Sequence, residues 1–258
     1  MNTSPIPPFF HERCRTVPYS LITYPGKETI CVHSEPLAGY SVITIPKKVR
    51  RVSIRVGPDR TVRVTLPHGI DPAPYLEKNR CWIAERAREI EGIAASCPGC
   101  EHHLLIDGQF CSLSGGGACT LDREAGEATY TTPAAFRDYL IRTLRADLAD
   151  RIQERAAEMG VSPGRVSIRR QRTRWGSCSS QGNLNFNLRL CALPDHLKDY
   201  VVVHELAHLK EMRHSRAFWA VCARHYPEPQ VAGSELKRYW VLIERSIPWQ
   251  IIAGKETP

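Results

Sequence analysis

The spacing of apolar residues changes along this chain, and each change predicts a different element. Between residues 50 and 66 the pattern alternates: Val52, Ile54 and Val56, then Val62, Val64 and Leu66, each beside polar neighbours. A period of two marks strands with one buried face, and Gly57-Pro58-Asp59 between the runs makes them a hairpin. From about Pro72 to Ala95 the apolar residues Leu76, Ile83, Ala87, Ile90 and Ala94 fall on one helical stripe. Cys97-Pro98-Gly99-Cys100 reads as a turn, and a weaker hairpin signal spans 103–121 with Gly115-Gly116-Gly117 inside it. A long helix is expected after Thr132: Pro133 suits its first turn, Phe136, Leu140, Leu144, Leu148 and Ile152 recur every four residues, and Gly160 ends it. Strands are expected at about 165–178 and 183–190, and a helix over about 195–212. Ser215 caps a short helix ending before Pro227.

Composition narrows the function classes. The 258 residues are 42% hydrophobic and 24% charged, enough for a sizeable core without help from metal. No apolar run approaches the ~18 residues of a membrane span, and the first residues do not read as a signal peptide, so a cytoplasmic location and no membrane partner are expected. Ten scattered cysteines read as small buried hydrophobes, kept as thiols in a reducing compartment. The net charge of +8 is uneven: residues 1–130 carry 15 basic and 14 acidic side chains, residues 131–258 carry 20 and 13. A basic C-terminal half suits an acidic partner, nucleic acid being the commonest, or is simply a solvated face.

The chemistry concentrates in His204-Glu205-Leu206-Ala207-His208. Side chains four apart on a helix share a face, so two imidazoles so placed can reach one zinc ion. Glu205 points beside such an ion rather than onto it, the position of a general base for a metal-bound water. The apolar Tyr200-Val201-Val202-Val203 before the motif buries the helix and leaves the histidine face toward a cleft. His214 is the favoured third ligand. In a straight helix it would point away, so the helix must end near Met212 and the chain fold back. Glu211 is the rival third ligand. The bland alternative is a helix with two surface histidines.

Upstream, Leu184, Phe186 and Leu188 alternate with Asn183, Asn185 and Asn187, so one face is apolar and the other a row of amides. A strand beside a metal helix can pair with an extended peptide, and Gly176 allows close backbone approach. Arg174, Trp175, Gly176, Ser177 and Asn187 are therefore candidate substrate-binding residues; for Trp175 an ordinary buried hairpin tryptophan is the competing reading, and for Asn187 a turn-closing role. Arg165, Arg169, Arg170, Arg172 and Arg174 crowd one stretch without an acid, and on a strand 170, 172 and 174 share a face. Cys97 and Cys100, with His102, His103 and Cys111, fit a second zinc site or a redox pair, or a plain turn. Arg174, Tyr200 and Tyr239 are candidate stabilisers of an oxyanion.

The stretch Arg174-Trp175-Gly176-Ser177-Cys178-Ser179, then Gly182 and Asn187, then His204 through Trp219 resembles the YgjP-like metallopeptidases, bacterial proteins related to SprT- and Wss-type zinc proteases. Phe186 stands where the family usually has Leu. The resemblance is strongest over about 140–226 and reaches more weakly to the hairpin at 50–66 and to Trp82-Ile83. It implies zinc held by His204, His208 and His214, with Glu205 catalytic. The expected fold is α+β: a tail over 1–28, a β-rich half with one helix over 29–130, and a zincin-like metallopeptidase core over 131–258. The expected function is hydrolysis of peptide bonds in a peptide or protein substrate. The alternatives are a non-catalytic, zinc-stabilised nucleic-acid-binding adaptor and a metallohydrolase or amidase acting on a small substrate.

Overall fold

A computed structural model describes residues 19–22, 30–33 and 36–254. Most of the tail expected over 1–28 lies outside the described residues. The chain divides into two compact units, residues 1–96 and 97–258.

Unit 1 is a five-stranded sheet with two helices. Strands β1 (Tyr19–Ile22), β2 (Ile30–His33), β3 (Ser41–Pro46), β4 (Ser53–Val56) and β5 (Thr61–Leu66) take the order β1-β2-β3-β5-β4. β4 and β5 form the expected hairpin, pairing Ile54 with Val64 and Val56 with Val62. The alternation has its physical result: Val62, Val64 and Leu66 are at most 1% exposed, in a core with Tyr40, Val42, Ile83 and Ala87. Each such burial is worth ~1.5–3 kcal/mol. The helix expected over 72–95 is two helices, α1 (Ala73–Lys78) and α2 (Arg80–Ala95). Asn79 breaks it, at φ −104°, ψ 12°, its side-chain amide donating to the Tyr75 carbonyl. Asparagine competes with helical hydrogen bonding in this way.

Unit 2 opens with β6 (Leu104–Ile106), β7 (Gln109–Gly115), β8 (Thr120–Asp122) and β9 (Glu127–Tyr130), in the order β6-β7-β9-β8. The β-rich half expected to run to residue 130 is thus divided at residue 96, and its last strands belong to the unit with the histidines. The β6–β7 turn falls at Asp107-Gly108, both at positive φ, rather than at the triple glycine. A Cβ on Gly108 would lie 3.0 Å from the Pro194 Cβ, so the turn needs glycine for space as well as conformation.

Helix α3 (Pro133–Met159) follows, with Thr132 accepting from the Ala135 N–H and Gly160 closing at φ 61°. Its stripe of Phe136, Leu140, Leu144 and Leu148 is at most 2% exposed. It packs on α4 (Asp195–Ala207), the helix of the histidine motif.

Between these helices in sequence comes a three-stranded sheet of β10 (Val166–Arg169), β12 (Leu184–Asn187) and β11 (Gly176–Cys178), in that spatial order. β10 runs parallel to β12 and β11 antiparallel to it. The chain must therefore cross from one side of β12 to the other between 169 and 176, so a single strand over 165–178 cannot form. Residues 170–175 are the crossing, and 170, 172 and 174 do not share a strand face. Helices α5 (Arg216–His225), α6 (Pro229–Arg245) and α7 (Ile247–Ile252) complete the unit. The fold is α+β. Among the described residues no helix is long and apolar enough to cross a membrane.

Candidate metal centre

Helix α4 ends at Ala207, earlier than the expected Met212, and the chain reverses without glycine. Leu209 N–H donates to the Leu206 carbonyl, and both Lys210 and Glu211 donate to that of Ala207. Glu211 sits inside this reversal. Its carbonyl lies 3.2 Å from His208 Nδ1 and its carboxylate accepts from the Arg213 N–H. The first contact fixes the His208 ring with Nδ1 as donor and leaves Nε2 as the free lone pair. Ser215 then starts α5 by accepting from the Phe218 N–H.

The reversal brings one ring nitrogen from each of His204, His208 and His214 within 4.8 Å of the others. His204 Nε2 and His214 Nε2 are 3.1 Å apart, close to the ~3.3 Å that two donors keep across a tetrahedral ion with bonds of ~2.0–2.1 Å. Burial first, then the neighbouring His208 and His214, pull the His204 pKa down to about 3. It is therefore a neutral imidazole, the form that binds a metal. The donor set fits a metal that accepts imidazole nitrogen. Phe218, wholly buried on α5, floors the site, its ring centre 4.6–4.9 Å from all three imidazoles.

Glu205 is 5% exposed, and its Oε2 has no hydrogen-bond partner. Burial pushes its carboxyl pKa up to about 8, with Arg174 opposing. Gly176 explains how the carboxylate fits: a Cβ there would lie 2.6 Å from Glu205 Oε1 and 2.7 Å from its Cγ. The close approach anticipated for this glycine is thus to the acid itself.

β11 stands at the sheet edge beside α4. Asn187 N–H donates to the Trp175 carbonyl and Ser179 N–H to that of Asn183, which fixes the phase of the ladder. By antiparallel alternation, the backbone groups of Ser177 face β12 and those of Gly176 and Cys178 point away from it. Arg174, Trp175, Gly176, Ser177 and Cys178 line one wall of a cleft of about 490 Å³; Tyr200, Val201, His204, Glu205 and His208 line another.

Asn187, grouped with the substrate-binding residues from the sequence, is 1% exposed and lies outside that lining. Its amide donates to the carbonyls of Gln171 (2.7 Å) and Arg174 (2.8 Å), so it holds the crossing loop. Tyr239 is also away from the cleft, its hydroxyl near Gly108. Trp175 lines the cleft and packs edge-on against Trp240 at 5.0 Å. Arg165, Arg169, Arg170, Arg172 and Arg174 are exposed, and none forms an ion pair with a carboxylate among the described residues; Arg170 donates to the Ala253 carbonyl. Cys97 and Cys100 sit at a turn, and no histidine-cysteine cluster of three ligand atoms forms there among the described residues.

Sequence reasoning missed Met212, Gly233 and Leu236, which also line the cleft. The last two sit on α6, whose signal was present: Pro229 in the first turn and apolar Ala232, Leu236 and Ile243 at helical spacing.

No curated protein matches the chain. Among solved structures, the metallopeptidase zymogen abylysin of Pyrococcus abyssi is 22% identical with TM-score 0.32, over 34% of this chain and 90% of that one. The zymogen jannalysin of Methanocaldococcus jannaschii is 20% identical with TM-score 0.31, over the same shares. The pattern of the YgjP-like metallopeptidase domain matches residues 50–239, most of the chain. The chain belongs to the YgjP-like metallopeptidase family.

Proposed function

We propose that this protein is a zinc-dependent peptidase in which His204, His208 and His214 hold the ion and Glu205 is the general base. The observation that carries the reading is a buried carboxyl group with one oxygen, Oε2, lacking a hydrogen-bond partner, next in sequence to one of three convergent imidazoles. A zinc ion so held supplies a Lewis acid that polarises a carbonyl and acidifies water. Glu205 accepts the proton of the attacking water and returns it to the leaving amine. The outward backbone groups of Gly176 and Cys178 pair with an extended substrate and hold its scissile bond across the cleft. Arg174 and Tyr200, both in the lining, are the candidates for an oxyanion partner; burial, foremost, keeps the Tyr200 hydroxyl protonated and therefore a donor. A reducing cytoplasm suits free thiols such as Cys100, Cys111, Cys191 and Cys222.

An adaptor that uses zinc only for structure has no need of the Glu205 carboxylate and usually closes its metal with four protein ligands. Zinc content by elemental analysis, melting temperature and degradomic comparison in lysate, on wild type and Glu205→Gln side by side, test the reading. The peptidase keeps zinc in both and loses cleavage only in the variant. Equal cleavage in both removes Glu205 as the base. Zinc retained in His214→Ala but lost in Glu211→Ala would reassign the third ligand.

A further inference from the structure

Unit 1 carries a groove that the peptidase reading leaves unused. It has a volume of about 660 Å³ and lies between β4 and the helices α1 and α2. Val52 and Ile54 form its strand side; Tyr75 and Trp82 form its helix side. Ile70 (42% exposed), Tyr75 (38%) and Trp82 (47%) all line it, three of the seven large apolar side chains exposed among the described residues. Clustered exposed apolar surface marks an interaction site more often than scattered surface does.

Among the described residues the strand side is an open sheet edge. β4 is the last strand in the order β1-β2-β3-β5-β4. The Gly57 N–H donates to the Thr61 carbonyl at 2.7 Å, which sets the phase of the β4–β5 ladder. By antiparallel alternation Ser53 and Arg55 turn their backbone groups to β5, and Ile54 and Val56 turn theirs outward. An unpaired row of this kind is a template for another backbone.

The charge beside the edge is one-sided. Residues 47–56 contain Lys47, Lys48, Arg50, Arg51 and Arg55 and no acid. Arg50 and Arg51 line the groove itself, are exposed, and form no ion pair among the described residues. Arg55 stands opposite Arg63, whose own charge is met by Asp59.

We propose that unit 1 captures an extended acidic peptide segment by strand addition to β4. The segment's backbone pairs with Ile54 and Val56, alternate apolar side chains enter the groove against Tyr75 and Trp82, and acidic side chains meet Arg50 and Arg51. Outward N–H and C=O groups at strand repeat select a polypeptide over a nucleic acid, whose backbone offers no matching alternation. The proposal goes beyond the peptidase reading and does not depend on it.

The test uses full-length Glu205→Gln protein, so that the probe is not cut, and fluorescence anisotropy with a labelled peptide of alternating Glu and Val. Saturable binding is expected, with an alternating Lys and Val peptide weaker by about tenfold or more. Arg50→Glu with Arg51→Glu should weaken the acidic peptide by about tenfold or more and strengthen the basic one. Trp82→Ala should weaken binding about five- to tenfold at an unchanged melting temperature, because the side chain is already exposed. Methylating alternate backbone nitrogens of the probe needs no protein variant and should abolish binding if the edge is the template. Undiminished binding of the methylated probe would overturn strand addition. Labelled oligothymidylate that binds more tightly and displaces the peptide would make the surface a nucleic-acid site and overturn the proposal, as would no saturable peptide binding.

Discussion

Helix α4 buries two ionisable side chains, Lys198 and Glu205, and treats them in opposite ways. Lys198 is 5% exposed and is met by three carboxylates: it donates to Asp107, lies 3.5 Å from Asp147 and 3.4 Å from Asp195. Arg151 joins the network by holding Asp147 and Asp195. Glu205, two turns on, is equally buried, and one of its oxygens bonds to nothing. Burial lowers the Lys198 pKa, but the hydrogen bond and charge of Asp107, then Asp147 and Asp195, raise it more, and the net shift is upward. For Glu205 burial wins. A satisfied buried charge ties elements together, here the β6–β7 turn to α4 and α3. An unsatisfied one costs stability and is kept where chemistry needs a base.

The sharpest break of this comparison is expected at Glu205. Glu205→Gln should lower turnover by roughly 10²–10⁴, the usual worth of a general base, while zinc content holds. Its metal-free form should melt at the same temperature or higher, since a neutral amide is cheaper to bury than a carboxyl group that burial forces toward its protonated form. A drop in melting temperature comparable to a core mutation would put Glu205 in the structural class with Lys198.

Lys198→Met should do the reverse. Removing one partner leaves buried carboxylates uncompensated and costs ~3–5 kcal/mol, read by denaturant unfolding, with kcat of the folded fraction little changed. The double variant Lys198→Met with Asp107→Leu should cost less than the single one, because two charges leave together. Since the Lys198 pKa is raised on folding, its stabilisation is present below the ordinary lysine value and fades as pH rises through the higher folded one. Wild type should therefore lose stability relative to Lys198→Met only in the alkaline range.

Gly176→Ala comes next, at ~1–3 kcal/mol for an overpacked contact. Its Cβ displaces the Glu205 carboxylate, so kcat should fall while zinc affinity holds. Full activity in this variant would mean the carboxylate has room that the 2.6 Å approach denies. The smallest effect is expected at the exposed arginines of 165–172. If they hold a polyanion, replacing Arg165 and Arg169 by Gln should reduce the slope of log affinity against log salt by ~2 for duplex DNA; an unchanged slope would leave them a solvated face.

Much of this was legible in the sequence where a local rule governs. The period of two over 52–66, the Thr132-Pro133 start and the His204/His208 spacing each depend on residues a turn or a strand apart. What was hidden depends on residues far apart. The break of the strand at 170–175 follows from β10 and β11 flanking β12, a pairing that no local pattern encodes. Asn187 reads as one of a row of amides, and only the crossing loop gives its amide two carbonyls to hold. The space that Gly176 leaves is set by an acid 29 positions later in the chain.

That last separation has a kinetic side. The three histidines span residues 204 to 214, a short loop whose closure costs little chain entropy. Glu205 is enclosed only when β11 has docked on α4. Local and non-local contacts of this kind open at different free energies. Mild denaturant should therefore populate a form in which α4 and the reversal still bring the three histidines together, able to keep an added metal ion, while the wall over Glu205 has come away. Metal retention and activity would then report two different unfolding events in one molecule.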